Sequence, residues 1–302
     1  MTPTVSKTTP KTTPKTTPGP TPKPLWLKKQ WRPTEEMAEV EALVRELGLN
    51  TVCREASCPN YSECFGRGVA TFMILGAACT RNCGFCGVTH TDPEFVDKEE
   101  PKRVAEAVKR LALGYVVVTS VTRDDLKDGG ASHFAETVRE IRRLSPGTKI
   151  ETLIPDLGGD IAALGQVIEA APDVISHNME TVRALYEKVR PQADYGRSLE
   201  VLKNIAAYSP AIKCKSGIMV GVGETYAQVL ELMDDLREAG CTMLTIGQYL
   251  RPSQENIPVE EYIEPEVFDR WAEEAEARGF ESVASAPFVR SSYHAEEAFD
   301  PL

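Results

Sequence analysis

The chain has 302 residues, 26% of them charged and 42% hydrophobic, the proportions of an ordinary folded domain and not of a collagen, a coiled coil or a wholly disordered chain. A formal net charge of −11 argues against a sequence-independent nucleic-acid binder, which relies on Lys and Arg to displace counterions from phosphates. The longest apolar runs, such as 72–75 and 115–118, fall far short of the roughly 18 residues of a membrane-spanning helix, so neither nucleic acid nor membrane is expected as a partner.

The charge is unevenly spread. Residues 1–32 carry seven basic groups and no acidic ones, leaving 27 basic against 45 acidic groups, net −18, for residues 33–302. Residues 7–18 are three tandem copies of Lys-Thr-Thr-Pro, too poor in apolar side chains to offset the entropy of ordering. Residues 1–24 are therefore expected to form a disordered tail, 25–70 an N-terminal extension, and 71–302 the main domain. No continuous apolar segment follows the basic residues as a secretory signal requires, and prolines every four residues break the amphipathic helix of a transit peptide. The expected location is cytoplasmic.

From residue 70 onward, strand-like apolar runs alternate with amphipathic ones. Strands are predicted at 71–75, 115–121, 149–154, 174–178, 212–220, 243–250 and 282–286. The spacing predicts helices over 101–113 (Val104, Ala107, Val108, Leu111), 134–144 (Phe134, Val138, Ile141, Leu144) and 225–239 (Val229, Leu232, Met233, Leu236), the last ended by Gly240. Such alternation implies a parallel sheet covered by helices. A complete eight-fold barrel takes about 250 residues, so the expected α/β fold is a partial (β/α) barrel of about six strands with N- and C-terminal extensions. Thr119, Ser120, His177, Asn178, Glu180 and Gln248 would then gather at the carboxyl-end mouth, where reactive groups sit in parallel architectures.

Six of the eight cysteines lie between residues 53 and 86. Cys53, Cys58 and Cys64 have the spacing C-x4-C-x5-C; Cys79, Cys83 and Cys86 have C-x3-C-x2-C. Without an export signal, clustered cysteines point to metal or redox chemistry more than to disulfides. A structural zinc site takes four ligands, usually from paired knuckles, and neither triad has an obvious fourth, so zinc is the weaker reading. An iron–sulfur cube also normally takes four thiolates; three would leave one iron open to a substrate or cofactor, unlike the fully capped clusters of electron-carrying ferredoxins. Cys214 and Cys241 lie in or beside apolar runs and read as buried small hydrophobes.

The C-x3-C-x2-C triad, with Phe85 before its third cysteine, resembles the signature of the radical S-adenosylmethionine superfamily. Together with the first triad, the segments 120–126, 128–134, 215–225 and 244–250, and the ending Arg290-Ser291-Ser292-Tyr293, the chain from about residue 25 onward is similar to the lipoyl synthase family. The resemblance implies two 4Fe–4S clusters. One, on Cys79, Cys83 and Cys86, binds S-adenosylmethionine and reduces it to a 5′-deoxyadenosyl radical. The other, an auxiliary cluster on Cys53, Cys58, Cys64 and Ser292, is consumed as sulfur donor. The implied reaction inserts sulfur at C6 and C8 of an octanoyl chain on a lysine of a lipoyl carrier domain, using two S-adenosylmethionines. Implied partners are octanoylated carriers (2-oxoacid dehydrogenase E2 subunits, the glycine cleavage H protein) and an electron donor such as ferredoxin or flavodoxin; a monomer is expected. One small departure from the family pattern is Gly87, where alanine is more typical.

The resemblance also suggests cofactor contacts from Ser120, Asn178 and Glu180, against the alternative that each merely caps the helix that follows. His177 is open between a cofactor contact and a structural histidine; His90, His133 and His294 read as structural or surface. Arg123, Asp124 and Asp125 form either a salt-linked loop at the site or a solvated one, and Arg290 is a candidate for gripping backbone near the auxiliary cluster, against the alternative of a surface ion pair. The competing enzyme reading is another radical sulfur inserter, biotin-synthase-like or tRNA methylthiotransferase-like; the acidic body speaks against an RNA substrate. A different class, an iron–sulfur scaffold or electron carrier, would not consume S-adenosylmethionine.

Overall fold

A computed structural model of the chain describes residues 22–30 and 32–299; most of the expected tail lies outside the described residues. Among the described residues ten strands form two sheets. The large one contains β1 (Asn50–Thr51), β2 (Thr71–Ile74), β5 (Tyr115–Ser120), β6 (Lys149–Leu153), β7 (Val174–Ser176), β8 (Lys213–Val220), β9 (Met243–Gln248) and β10 (Ser282–Ser285), in that spatial order. β3 (Ala78–Cys79) and β4 (Thr89–His90) pair separately beside the mouth. Every neighbour from β2 to β10 is parallel, and β1 is added antiparallel to β2. The partial barrel thus has seven parallel strands, one more than the six expected, because 282–286 pairs fully with β9. Among the described residues β1 and β10 each have a strand partner on one side only, so the sheet is open.

Each parallel strand returns through a helix. The three predicted helices are found at Glu100–Arg110, Ala131–Leu144 and Tyr226–Glu238, and further ones at Ile161–Glu169, Tyr195–Tyr208 and Pro265–Ala277. Their starts follow from local chemistry: Asp160 accepts the amides of Ala162 and Ala163, Asp194 that of Arg197, and Thr225 and Gln228 form a reciprocal capping box. β2, β5 and β9 are buried on both faces, which is why they read as continuous apolar runs, whereas β10 at the edge is half-buried throughout.

The N-terminal extension is not a separate body. Its helix Glu35–Glu46 buries Met37, Val40, Leu43 and Val44, and these join Phe65, Phe72, Ile74 and Val104 in one core that spans extension and barrel. Cys214 and Cys241 are buried in that core, as expected of small hydrophobes. Among the described residues no helix is long and apolar enough to cross a membrane.

Candidate active site

The second triad occupies the loop after β2, at the carboxyl end of the sheet, and neighbours on every side fasten it. The Gly84 amide donates to Val189 O (2.9 Å) and Gly84 O accepts from the Ile257 amide (2.9 Å). Asn82 N donates to Gln192 Oε1 (2.7 Å), and Asn256 Nδ2 to Cys86 O (2.8 Å). A Cβ on Gly84 would lie 2.8 Å from Ile257, so this close approach requires glycine. Cys79 Sγ accepts the amides of Arg81 (3.4 Å) and Thr122 (3.3 Å), and Cys86 Sγ that of Val88 (3.5 Å). Such bonds stabilise a thiolate and tune whatever it ligates.

Within the same loop Arg81 is nearly buried and bridges two carboxylates from different strand ends, Asp124 (2.7 Å) and Asp156 (2.7 Å). Burial opposes the charge on Asp156, but the Arg81 hydrogen bonds outweigh it and hold the carboxyl at about 2. Arg123 is buried and forms a bidentate pair with Asp125 while donating to Leu75 O, so segment 123–125 is a salt-linked loop at the site.

The first triad lies across the mouth on the extension. Cys53 is buried, and Cys58 and Cys64 are half-buried. Burial, with repulsion from neighbouring thiolates, pushes the Cys53 thiol up to about 11 and Cys64 to about 12; Cys86 in the second triad is likewise pushed to about 12. A cation bound among them would reverse that balance. In neither triad do the three sulfurs all lie within 4.8 Å of one another, whereas a zinc tetrahedron with Zn–S near 2.3 Å sets sulfurs about 3.8 Å apart. A cavity of about 500 Å³ opens beside Cys53 and Cys58.

The C-terminal Arg290-Ser291-Ser292-Tyr293 segment joins the halves. Tyr293 OH donates to Glu63 (2.7 Å), and Asn60 Nδ2 to Phe288 O (2.7 Å), both from the first triad's own loop and helix. On the other side Ser291 Oγ donates to Asn178 Oδ1 (2.9 Å). Arg290 donates to Val289 O (2.6 Å), the carbonyl of its own preceding residue, and lies within electrostatic reach of both Cys58 and Glu180. Gly87, the departure from the family pattern, packs against the Cys53–Cys58 loop: a Cβ there would meet Pro252 at 3.2 Å and Ala56 O at 3.4 Å.

The remaining expected residues separate. Ser120 ends β5 with its Oγ buried and unpartnered among the described residues, as is His177 Nε2. His177 Nδ1 donates to Ile154 O (2.9 Å), and burial, reinforced by Arg190, lowers its imidazole to about 4, so it is neutral near pH 7. Asn178 Nδ2 donates to Glu180 Oε1 (3.0 Å); burial raises the Glu180 carboxyl while Arg190, Asn178 and Arg290 oppose. Glu180 also has φ +66°, a strained value for a non-glycine residue. Two residues do not face the mouth. Thr119 donates to Leu153 O within the sheet, and Gln248 spends its amide on Val220 O, Tyr249 O, Glu261 O and the Ile263 amide. His133 pairs with Glu100 in the interior and His90 lies on Cys79 O, both structural.

Sequence reasoning missed Arg81, Asp156, Arg190 and Lys215. For Arg81 the signal was a charge inside a cysteine loop that must be buried, and for Lys215 a lysine within an apolar strand. Asp156 and Arg190 carried none.

The radical S-adenosylmethionine superfamily pattern matches residues 73–236. Lipoyl synthase of Caldanaerobacter subterraneus subsp. tengcongensis is 56% identical over 91% of this chain and 96% of its own length, and that of Caldicellulosiruptor saccharolyticus 55% identical over 91% and 96%. Among solved structures, methylornithine synthase (PylB) aligns with a TM-score of 0.51 at 19% identity over 75% of this chain and 67% of its own. Streptococcus suis SuiB bound to S-adenosylmethionine aligns at 0.55 and 13% over 88% and 63%; these two speak for the fold alone. Membership of the superfamily implies a 4Fe–4S cluster and S-adenosylmethionine, groups that the open triad and the unpartnered Ser120 and His177 atoms beside it fit. With more than half its length in the superfamily pattern and such identity to these relatives, the chain belongs to the lipoyl synthase family of sulfur-inserting radical S-adenosylmethionine enzymes.

Proposed function

We propose that this chain inserts two sulfur atoms, at C6 and C8, into an octanoyl chain carried on a lysine of a lipoyl carrier domain. The carriers would be 2-oxoacid dehydrogenase E2 subunits or the glycine cleavage H protein, with ferredoxin or flavodoxin as reductant. The observation that carries the reading is the tie that the Arg290–Tyr293 segment makes between the first triad's helix and the barrel mouth, bonded to Glu63 on one side and to Asn178, beyond the end of β7, on the other.

An unactivated methylene offers no proton that a side-chain base could take, so the cluster and S-adenosylmethionine, when bound, supply a carbon-centred radical in its place. The protein's part is holding and shielding. Cys79, Cys83 and Cys86 would bind the first cluster, their loop fixed by Arg81. Ser120, Asn178 and Glu180 would contact the cofactor. Phe85 packs with Val189, Val222, Tyr249 and Ile257, an apolar wall that would help to exclude water from the site. Cys53, Cys58, Cys64 and Ser292 would hold the auxiliary cluster, here a sulfur-donating substrate. Serine oxygen is a harder ligand than thiolate and less matched to cluster iron, so Ser292 is the ligand suited to be released.

Anaerobic reconstitution should give about eight irons per chain, four for each cluster. Incubation with reductant, S-adenosylmethionine and octanoylated carrier should add two sulfurs and remove two hydrogens, read by carrier mass. Ser292→Cys should keep the iron content but suppress sulfur transfer. Four irons, or a fully active Ser292→Cys enzyme, would overturn the corresponding assignment.

A further inference from the structure

Lys215 lies in β8 with its side chain 1% exposed, and the proposed chemistry gives it no role. Its ammonium donates twice to Glu151, at 2.9 Å to each oxygen, and once to the carbonyl of Ser291, at 2.6 Å. Glu151, fully buried on β6, also accepts from Ser176 Oγ (2.6 Å) and Tyr115 OH (2.7 Å). All three ammonium hydrogens are used, and the only one not spent on Glu151 reaches the residue before Ser292. A buried lysine needs a counter-charge to be tolerated, and neutral packing would fill the space at less cost. Here the ion pair delivers a charge-assisted bond to one backbone atom.

The surroundings make that bond decisive. Ser291 is fixed by Lys215 and Asn178, and Tyr293 by Glu63. A Cβ on Gly247 would lie 2.1 Å from Val289 O, so the segment rests directly on β9. Ser292 sits between these anchors, and among the described residues its hydroxyl has no hydrogen-bond partner.

We propose that Lys215, neutralised by Glu151, is a positioning residue that fixes the Ser291 carbonyl and thereby presents the Ser292 hydroxyl to the first triad. The idea rests on Ser292 being the fourth ligand of the auxiliary cluster. Its test uses full-length protein in which Cys79, Cys83 and Cys86 are alanine, so that only the auxiliary site takes iron, read by Mössbauer spectroscopy. Three chains are compared: that background, the same with Ser292→Ala, and the same with Lys215→Met. Lys215→Met should reproduce the Ser292→Ala spectrum, and amide exchange across 288–293 should quicken by on the order of tenfold in the otherwise wild-type protein. Lys215→Met combined with Glu151→Gln strands no charge and should give the same two results even if the single variant folds poorly. A background-like spectrum with unchanged exchange in these variants would overturn the role of Lys215. If Ser292→Ala itself left the spectrum unchanged, the ligand assignment beneath the proposal would fall instead.

Discussion

Asp156 shows how much of the site depends on residues that touch no cluster ligand. Its carboxylate, wholly buried, holds Arg81 at 2.7 Å and so ties the second triad to the end of β6. With a folded-state value of about 2 against about 3.9 for a free aspartate, the unfolded chain binds more protons through that interval. The group's stabilising contribution is therefore complete above about pH 4 and is lost as pH falls toward about 2. Asp156→Asn should lower the unfolding free energy of the metal-free protein by about 2 kcal/mol at pH 5, and the gap to wild type should narrow as pH approaches 2.5 in urea titrations. A gap of the same size at both pH values would contradict this account. The cysteines were legible because their chemistry is written in local spacing. Asp156 and Arg190 were not: Arg81 meets its carboxylates 43 and 75 residues away, and only the fold creates such pairs.

At the level of elements, the inner parallel strands were readable because strands buried on both faces leave continuous apolar runs. β1, two residues long, left no pattern, and its place is set by pairing with Phe72 and Met73. Helix ends were readable where a side chain caps them. Residues 225–239 were predicted and Tyr226–Glu238 found, with Thr225 as cap and Gly240 at φ +82° as terminator. Thr225→Ala should cost about 1 kcal/mol and lower Tm by roughly 2–4 °C in circular dichroism melts. Because Gln228 returns the bond to the Thr225 amide, the Thr225→Ala, Gln228→Ala double variant should lose less than the sum of the two singles. Strict additivity would mean that the two bonds do not act as a box.

Over the whole molecule the site exists only because the extension and the barrel share one core. The first triad is carried on two short helices, Val52–Glu55 and Tyr61–Gly66, which could not stand alone at four and six residues. What anchors them is Phe65, 2% exposed, its ring 4.4 Å from Tyr61 and joined through the core to Phe72 on the first parallel strand. An independent N-terminal unit would melt separately. A shared core instead requires the extension and the barrel to unfold together, so far-ultraviolet and near-ultraviolet melts of the metal-free chain should coincide in a single transition. Phe65→Ala should remove about 3–5 kcal/mol from that one transition, lowering its midpoint while leaving it single. An early, separate transition in either protein, or a Phe65→Ala variant whose barrel melted at the wild-type midpoint, would show that the two triads ride on separately folding bodies and that their alignment depends on something other than the common core.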